Sequence, residues 1–273
     1  MKSSPSISVV IITWNQLELL NRCLESLYSQ FQFEHDEIIV IDNGSTDGTN
    51  DLIESNYPAV RYYRLDSNLG VGAARNRGIV ASRCEYIMTL DNDAYLQTSF
   101  ASLKKSIIAA YNQEKMLGVL GFKLCFPDGS YQFNGRTFPG AMQPLASRVS
   151  FLLKFKYFQN LLDKHKRTDL QFQQSGMHEV DYLLGANQVF RRELLVQTGL
   201  YDNTIFFGPE DLELCWRFKK LGLRNMIQLS TVIIHDYQRR TTKFSLISVK
   251  HFLAFYKTWY KMNVYRTPHN KSQ

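Results

Sequence analysis

Residues 85–93 read EYIMTLDND, a run of apolar and β-branched side chains that stops abruptly at Asp91-Asn92-Asp93. A strand buried on both faces of a parallel sheet leaves this near-continuous pattern. The pattern recurs toward the N-terminus. Ile7–Trp14 (ISVVIITW) and Glu37–Ile41 (EIIVI) read as buried strands, and Val60–Leu65 as a shorter one. Between them Leu17, Leu20, Leu24 and Leu27 recur at helical spacing, and helices are expected near Asp47–Ser55 and over Gly72–Ala81. This βαβαβαβ rhythm predicts an α/β protein with a doubly wound, mostly parallel sheet, right-handed crossovers and helices on both faces. Ligands of such sheets sit at the carboxyl ends of the strands. Three polar clusters fall there: Thr13–Asn15, Asp42–Ser45 and Asp91–Asp93.

The second half is less regular. Met116–Phe126, the turn Asp128-Gly129 and Ser130–Gly135 read as strand, turn and strand. Residues 137–176 show weak periodicity and suggest an insertion on the acceptor side of the fold. Order returns with a strand at Tyr182–Phe190 and a helix from Arg191. The loop Tyr201–Pro209, a helix Asp211–Leu221 closed by Gly222, and a strand Met226–Ile234 ending at His235-Asp236 follow. The tail Phe244–Tyr265 reads as an amphipathic helix, with Lys250, Lys257 and Lys261 on one side and Phe252, Leu253, Tyr256 and Tyr260 on the other. Aromatics with lysines suit an anionic membrane interface, so a peripheral membrane contact is expected; docking on the main domain explains the same pattern. The division expected is a catalytic domain over 1–243, with halves of about 1–95 and 96–243, and a helical extension over 244–273.

Composition sets the bounds. The 273 residues are 44% hydrophobic and 21% charged, enough to bury a sizeable core. MKSSPSISVV lacks the apolar region of a signal peptide, and no apolar stretch approaches the about 20 residues that span a bilayer. Cys23, Cys84, Cys125 and Cys215 are widely spaced without a CxxC, which reads as four reduced thiols rather than a zinc site. A cytoplasmic protein is expected. The net charge of +7 and pI of about 9.1 suit phosphorylated substrates, an anionic membrane or nucleic acid. No zinc-finger spacing, heptad run or RRM-type signature supports nucleic acid, which is excluded as a partner.

Two carboxylates on a tight turn after a buried strand, Asp91 and Asp93, can chelate one hard cation, Mn²⁺ or Mg²⁺, together with diphosphate oxygens. An isolated D-x-D also serves as a helix-capping turn; its place in line with the other strand ends favours the metal. Asp42 can accept a hydrogen bond from a pyrimidine N–H or a ribose hydroxyl, or cap its own Gly44-Ser45 turn. Arg75 and Asn76 follow Gly70-Val71-Gly72 on a helix, where Arg75 could grip phosphate or form a surface ion pair, and Asn76 could meet a base or ribose edge. Those glycines follow the third strand and lack the third glycine of a dinucleotide fingerprint, which rules out a nicotinamide site. Glu210-Asp211 opens a helix, where acidic residues are common for electrostatic reasons alone. His235 ends a strand near the ligand edge, and its imidazole is a competent metal or diphosphate ligand.

The stretches VVIITWNQLELLNRCLESL, IIVIDNGSTDGT, NLGVGAARNRGI, YIMTLDND and GANQVFRRELLVQTGLYDNTIFFGPEDLELCWRFKKLG lie, in order and spacing, over most of residues 7–236. Together they resemble glycosyltransferase family 2, with the GT-A fold. Asp42-Asn43 departs from the common double Asp, but DNGS and GPEDLELCWR resemble the bacterial rhamnosyltransferase-like branch. The resemblance implies a nucleotide-sugar donor, a divalent cation at Asp91-Asn92-Asp93 with Asp93, Asp91 and His235 as ligands, and inversion at the anomeric carbon. It implies Thr13, Asn15, Asp42, Gly44, Arg75, Asn76, Asp91 and Asn92 around the donor. It implies Asp211 as the general base, with Glu210 on the acceptor or supporting Asp211. The expected donor is dTDP-rhamnose, then a UDP-sugar, and the acceptor a saccharide or polyprenyl-linked precursor of a surface polysaccharide.

Two other classes compete. A sugar-phosphate nucleotidyltransferase would want an early Gly-rich loop bearing Lys or Arg, where this chain has Thr13-Trp14-Asn15-Gln16. A non-catalytic sugar- or lipid-binding protein would have no need of Asp91, Asp93 and Asp211.

Overall fold

The computed structural model describes residues 5–140, 156–237 and 246–263. The strands of the first third are β1 (Ile7–Thr13), β2 (Glu37–Asp42), β3 (Arg61–Arg64) and β4 (Tyr86–Asp91), joined by α1 (Leu17–Tyr28), α2 (Thr49–Asn56) and α3 (Val71–Ala81). All four strands are parallel, in the order β3-β2-β1-β4. Both faces of β1 are covered, which explains its unbroken apolar run. Ile7, Val9 and Ile11 share an apolar layer with Leu20, Leu24 and Leu27 of α1, while Val10 joins Ile39, Ile41 and the α3 residues Ala74 and Ile79 in the opposite layer. Register aligns the polar strand ends: Thr13 lies beside Asp42, and Ile12 beside Asp91.

The second half completes the sheet. It comprises β5 (Ala94–Leu96), α4 (Phe100–Gln113), β6 (Leu117–Cys125), β7 (Tyr131–Gln132), β8 (Gly135–Arg136), α5 (Lys156–Lys166), β9 (Met177–Val180), β10 (Tyr182–Leu183), β11 (Asn187–Arg191), α6 (Arg192–Thr198), α7 (Glu210–Lys220), β12 (Arg224–His235) and α8 (Leu246–Asn263). The main sheet continues β4-β11-β6-β12-β5, with β11 antiparallel to both β4 and β6, and β12 parallel to β6. The architecture is therefore the mixed α/β, mostly parallel one expected.

Several boundaries move. The run Tyr182–Phe190 is two strands: β10 pairs with β8 in a small separate sheet, and β11 enters the main sheet after a break at Leu184-Gly185-Ala186. α4, capped by Ser99 Oγ accepting from the Ser102 N–H at 3.3 Å, and β9 are elements the apolar pattern did not mark. Within 137–176, α5 and a 3₁₀ turn at Thr168–Phe172 are described; residues 141–155 lie outside the described residues, as do Arg239 and Arg240, a basic pair that the sequence offers either to close over a diphosphate or to be solvated. The four cysteines are free, buried thiols.

α8 lies against the main body of the fold. Phe255 and Met262 pack against the second apolar layer, Thr258 is buried, and Lys261 Nζ reaches Glu213 at 2.7 Å and Asp202 at 3.5 Å. Leu253, Lys257 and Tyr260 form an outward stripe. Among the described residues no helix is long and apolar enough to cross a membrane.

Candidate active site

The carboxyl ends of β4 and β12 bring three candidate ligands together. One donor atom each from Asp91, Asp93 and His235 lies within 4.8 Å of the others. His235 is buried, with Nε2 3.0 Å from Asp93 Oδ1 and Nδ1 2.7 Å from Gln132 Oε1. Two carboxylates and an imidazole form a donor set that suits a divalent first-row ion or Mg²⁺. The electrostatics fit as well. Burial pulls the His235 pKa down, but the hydrogen bond and charge of Asp93 and the charge of Asp91 outweigh it and raise the value. Burial raises the nearby Cys23 thiol, and Asp93 and Asp91 push it the same way. The locus is built to hold a positive charge.

Arg75 is 3% exposed, so its ion pairs are interior rather than surface ones. Its Nη2 donates to Asp91 Oδ1 at 2.6 Å and to the Gly185 carbonyl at 2.9 Å, and Nη1 pairs with Glu210 at 3.2 Å. Burial opposes its charge, yet Asp91, Tyr201 and Glu210 raise its pKa. The Gly185 N–H donates to Asp211 Oδ2 at 3.0 Å, so this one residue links the arginine to Asp211. A side chain at Gly185 would put its Cβ 2.3 Å from Arg75 Nη1, so any larger residue would have to displace the guanidinium from its partners.

Asp211 and Glu210 begin α7. Asp211 is half-buried and accepts from the N–H of Gly185 and of Leu212; burial raises its pKa despite these bonds and Arg75. Glu210 is 5% exposed, and its Oε2 has no hydrogen-bond partner among the described residues. Burial, then the charge of Asp211, pushes it up to about 7 against the pull of Arg75. Glu210 is thereby poised to exchange a proton near neutrality, and the adjacent Asp211 is shifted in the same direction.

The other expected donor-side residues brace the strand ends. Asp42 is fully buried: Oδ1 accepts from the Ser45 N–H at 2.8 Å, and Oδ2 from Tyr62 Oη at 2.6 Å. Gly44 lies within this turn. Asn15 Oδ1 accepts from the Thr46 N–H at 2.8 Å, and its own N–H donates to Ser45 Oγ. Asn92 donates to Thr13 Oγ1 at 3.0 Å, tying β4 to β1. Asn76 uses both ends of its amide on the Tyr201 backbone, so it positions the loop before α7. Gly70 serves the same loop: at φ +90° it lets the Phe206 carbonyl approach where a Cβ would be 2.4 Å away, and the Val71 N–H donates to that carbonyl. Gln132 and Gly185 were not marked by sequence; the GAN tripeptide at 185–187 was the one available signal for Gly185.

Comparisons with known proteins bear on the family and the fold. EpsH of Bacillus subtilis is 31% identical over 99 residues, which are 36% of this chain and 28% of EpsH. The N-acetylglucosaminyl-diphospho-decaprenol L-rhamnosyltransferase of Mycobacterium tuberculosis is 26% identical over 273 residues, covering 93% of this chain and 82% of that enzyme. The crystal structure of GalNAc-T7 with UDP, GalNAc and Mn²⁺ superposes with a TM-score of 0.65 at 14% identity, over 94% of this chain and 48% of that one, a likeness of fold. The profile of glycosyl transferase family 2 matches residues 8–197, well over half the chain, and with the GT-A architecture already described, the chain belongs to that family.

Proposed function

We propose that this chain is an inverting glycosyltransferase that moves a sugar from a nucleoside-diphosphate donor to a hydroxyl of a saccharide or polyprenyl-linked precursor. The observation that carries this reading is the convergence of Asp91, Asp93 and His235 at the carboxyl edge of a family-2 sheet, beside the Arg75-linked pair Glu210-Asp211. In the reaction a new bond forms from the acceptor oxygen to the anomeric carbon as the bond from that carbon to the diphosphate oxygen breaks. Asp211 takes the hydroxyl proton. Arg75 fixes Asp91 and Glu210 on opposite sides of its guanidinium and so keeps the two halves of the site in register. A divalent ion held by Asp91, Asp93 and His235, Mn²⁺ or Mg²⁺, would supply positive charge against the departing diphosphate.

Similarity to the mycobacterial enzyme over nearly the whole chain supports rhamnose, from dTDP-rhamnose, as the leading donor, with a UDP-sugar next. A precursor linked to a polyprenyl lipid lies at a membrane surface, and the outward stripe of α8 offers a peripheral contact at the cytoplasmic face. Purified protein should hydrolyse or transfer from dTDP-rhamnose or a UDP-sugar with Mn²⁺, and Asp93→Ala should abolish that turnover while remaining folded. Undiminished turnover in EDTA would overturn the metal assignment.

A further inference from the structure

Gln132 is buried on β7, whose pairing with β6 sets it opposite Leu124, and it comes from a hairpin 103 residues before His235. Its Oε1 lies 2.7 Å from His235 Nδ1. An amide oxygen only accepts, so this contact places a proton on Nδ1, and in the neutral ring the lone pair is then on Nε2. Nε2 in turn faces Asp93 Oδ1 at 3.0 Å. A lone pair and a carboxylate oxygen at that distance repel, so Nε2 carries either a second proton donated to Asp93 or, in its place, the metal ion. We infer that Gln132 is a positioning residue for the metal, selecting the His235 tautomer whose Nε2 can bind the ion. This rests on the reading of Asp91, Asp93 and His235 as ligands and adds the group that orients one of them. The reversed amide would instead put the proton on Nε2, hydrogen-bond it to Asp93 and withdraw the histidine from the site.

Outer partners of metal-binding histidines typically change affinity by about 10–100-fold. The test is Mn²⁺ binding to the full chain without donor, followed by the electron paramagnetic resonance of free Mn²⁺. Gln132→Leu keeps the bulk and removes the acceptor, and should weaken binding by about 10–100-fold. Gln132→Glu places an acceptor there whichever way an amide would turn, and should bind at least as tightly as wild type. Imidazole ¹⁵N shifts of the metal-free protein at alkaline pH should show the Nδ1–H tautomer in wild type and its loss in Gln132→Leu, a change that mere support of the hairpin would not produce. Wild-type affinity in folded Gln132→Leu, or an Nε2–H tautomer in wild type, overturns the inference while leaving the metal site standing. If Asp93→Ala binds Mn²⁺ as tightly as wild type, the ligand assignment itself fails and this inference falls with it.

Discussion

Arg75 Nη2 lies 2.6 Å from Asp91 Oδ1, and the same guanidinium contacts Glu210 on its other side, so one buried cation separates two carboxylates from distant parts of the chain. Removing one partner of a buried ion pair leaves uncompensated charge and destabilises by about 3–5 kcal/mol. Arg75→Met, which leaves Asp91 and Glu210 facing each other, should show a loss of that size in urea unfolding. Arg75→Lys should recover only part of it, because a compact ammonium cannot match the planar fork that spans Asp91, Gly185 and Glu210. Unchanged stability in Arg75→Met would show that the arginine contributes nothing to holding the site.

The base assignment is tested by shape-preserving changes. Asp211→Asn keeps the contact with the Gly185 N–H but cannot take a proton, so turnover should fall by about 10²–10⁴-fold, the usual range for a general base. Donor affinity should barely move. If Asp211→Asn transfers normally while Glu210→Gln does not, the catalytic carboxylate is Glu210.

Glu210 also makes a pH prediction. Its pKa is raised from 4.5 to about 7, above all by burial. Between those values the folded state binds a proton that the unfolded chain has released, so stability is greatest below that window and is lost as pH rises through it. Wild-type melting temperature should therefore decline from pH 4.5 to pH 7. Glu210→Gln, which cannot ionise, should flatten the decline and exceed wild type at its alkaline end. Asp211, raised in the same sense, leaves a residual slope. Parallel profiles for the two proteins would contradict this.

The nucleoside expectation centres on Asp42, whose Oδ2 is held by Tyr62. A base or ribose must share or take that oxygen. UDP or dTDP should raise the melting temperature and GDP should not, with about 2.7 kcal/mol of stabilisation at 100 times Kd. Asp42→Asn should weaken the effect. Clear preference for GDP in the titration would displace the donor assignment.

The strand ends were legible because burial on both faces leaves no ambiguity: the apolar runs of β1, β2 and β4 stop where polar residues begin, and register sets those ends side by side. What each polar side chain does there was not. Asn76 meets Tyr201 across 125 residues and Arg75 meets Glu210 across 135, and neither partner leaves a mark in local spacing. Gly70 and Gly185 look alike in a sequence, yet one admits a loop carbonyl and the other an arginine side chain. The single strand expected over 182–190 failed for a related reason: the break at Gly185 serves the site, and its apolar neighbours conceal it.

The C-terminal helix separates into two sets of residues that predict different things. Phe255, Thr258, Met262 and Lys261 face the catalytic body, Lys261 through Glu213 and Asp202, so they serve the fold. Leu253 is 63% exposed and Tyr260 53%, with Lys257 also exposed between them in sequence. This outward stripe is apolar and basic enough to meet an anionic interface, each basic residue adding about 1 kcal/mol near the surface. Lys261→Gln should therefore lower the melting temperature and leave liposome binding almost unchanged. Leu253→Ser with Lys257→Gln should leave the melting temperature alone and reduce co-sedimentation with anionic vesicles. Binding should also fall in high salt, since one charge and two apolar side chains give weak, screened attachment rather than anchoring. Equal recovery of wild type and the double variant, with neutral and anionic vesicles alike, would mean that the outward stripe makes no membrane contact and that α8 acts only through its inner face.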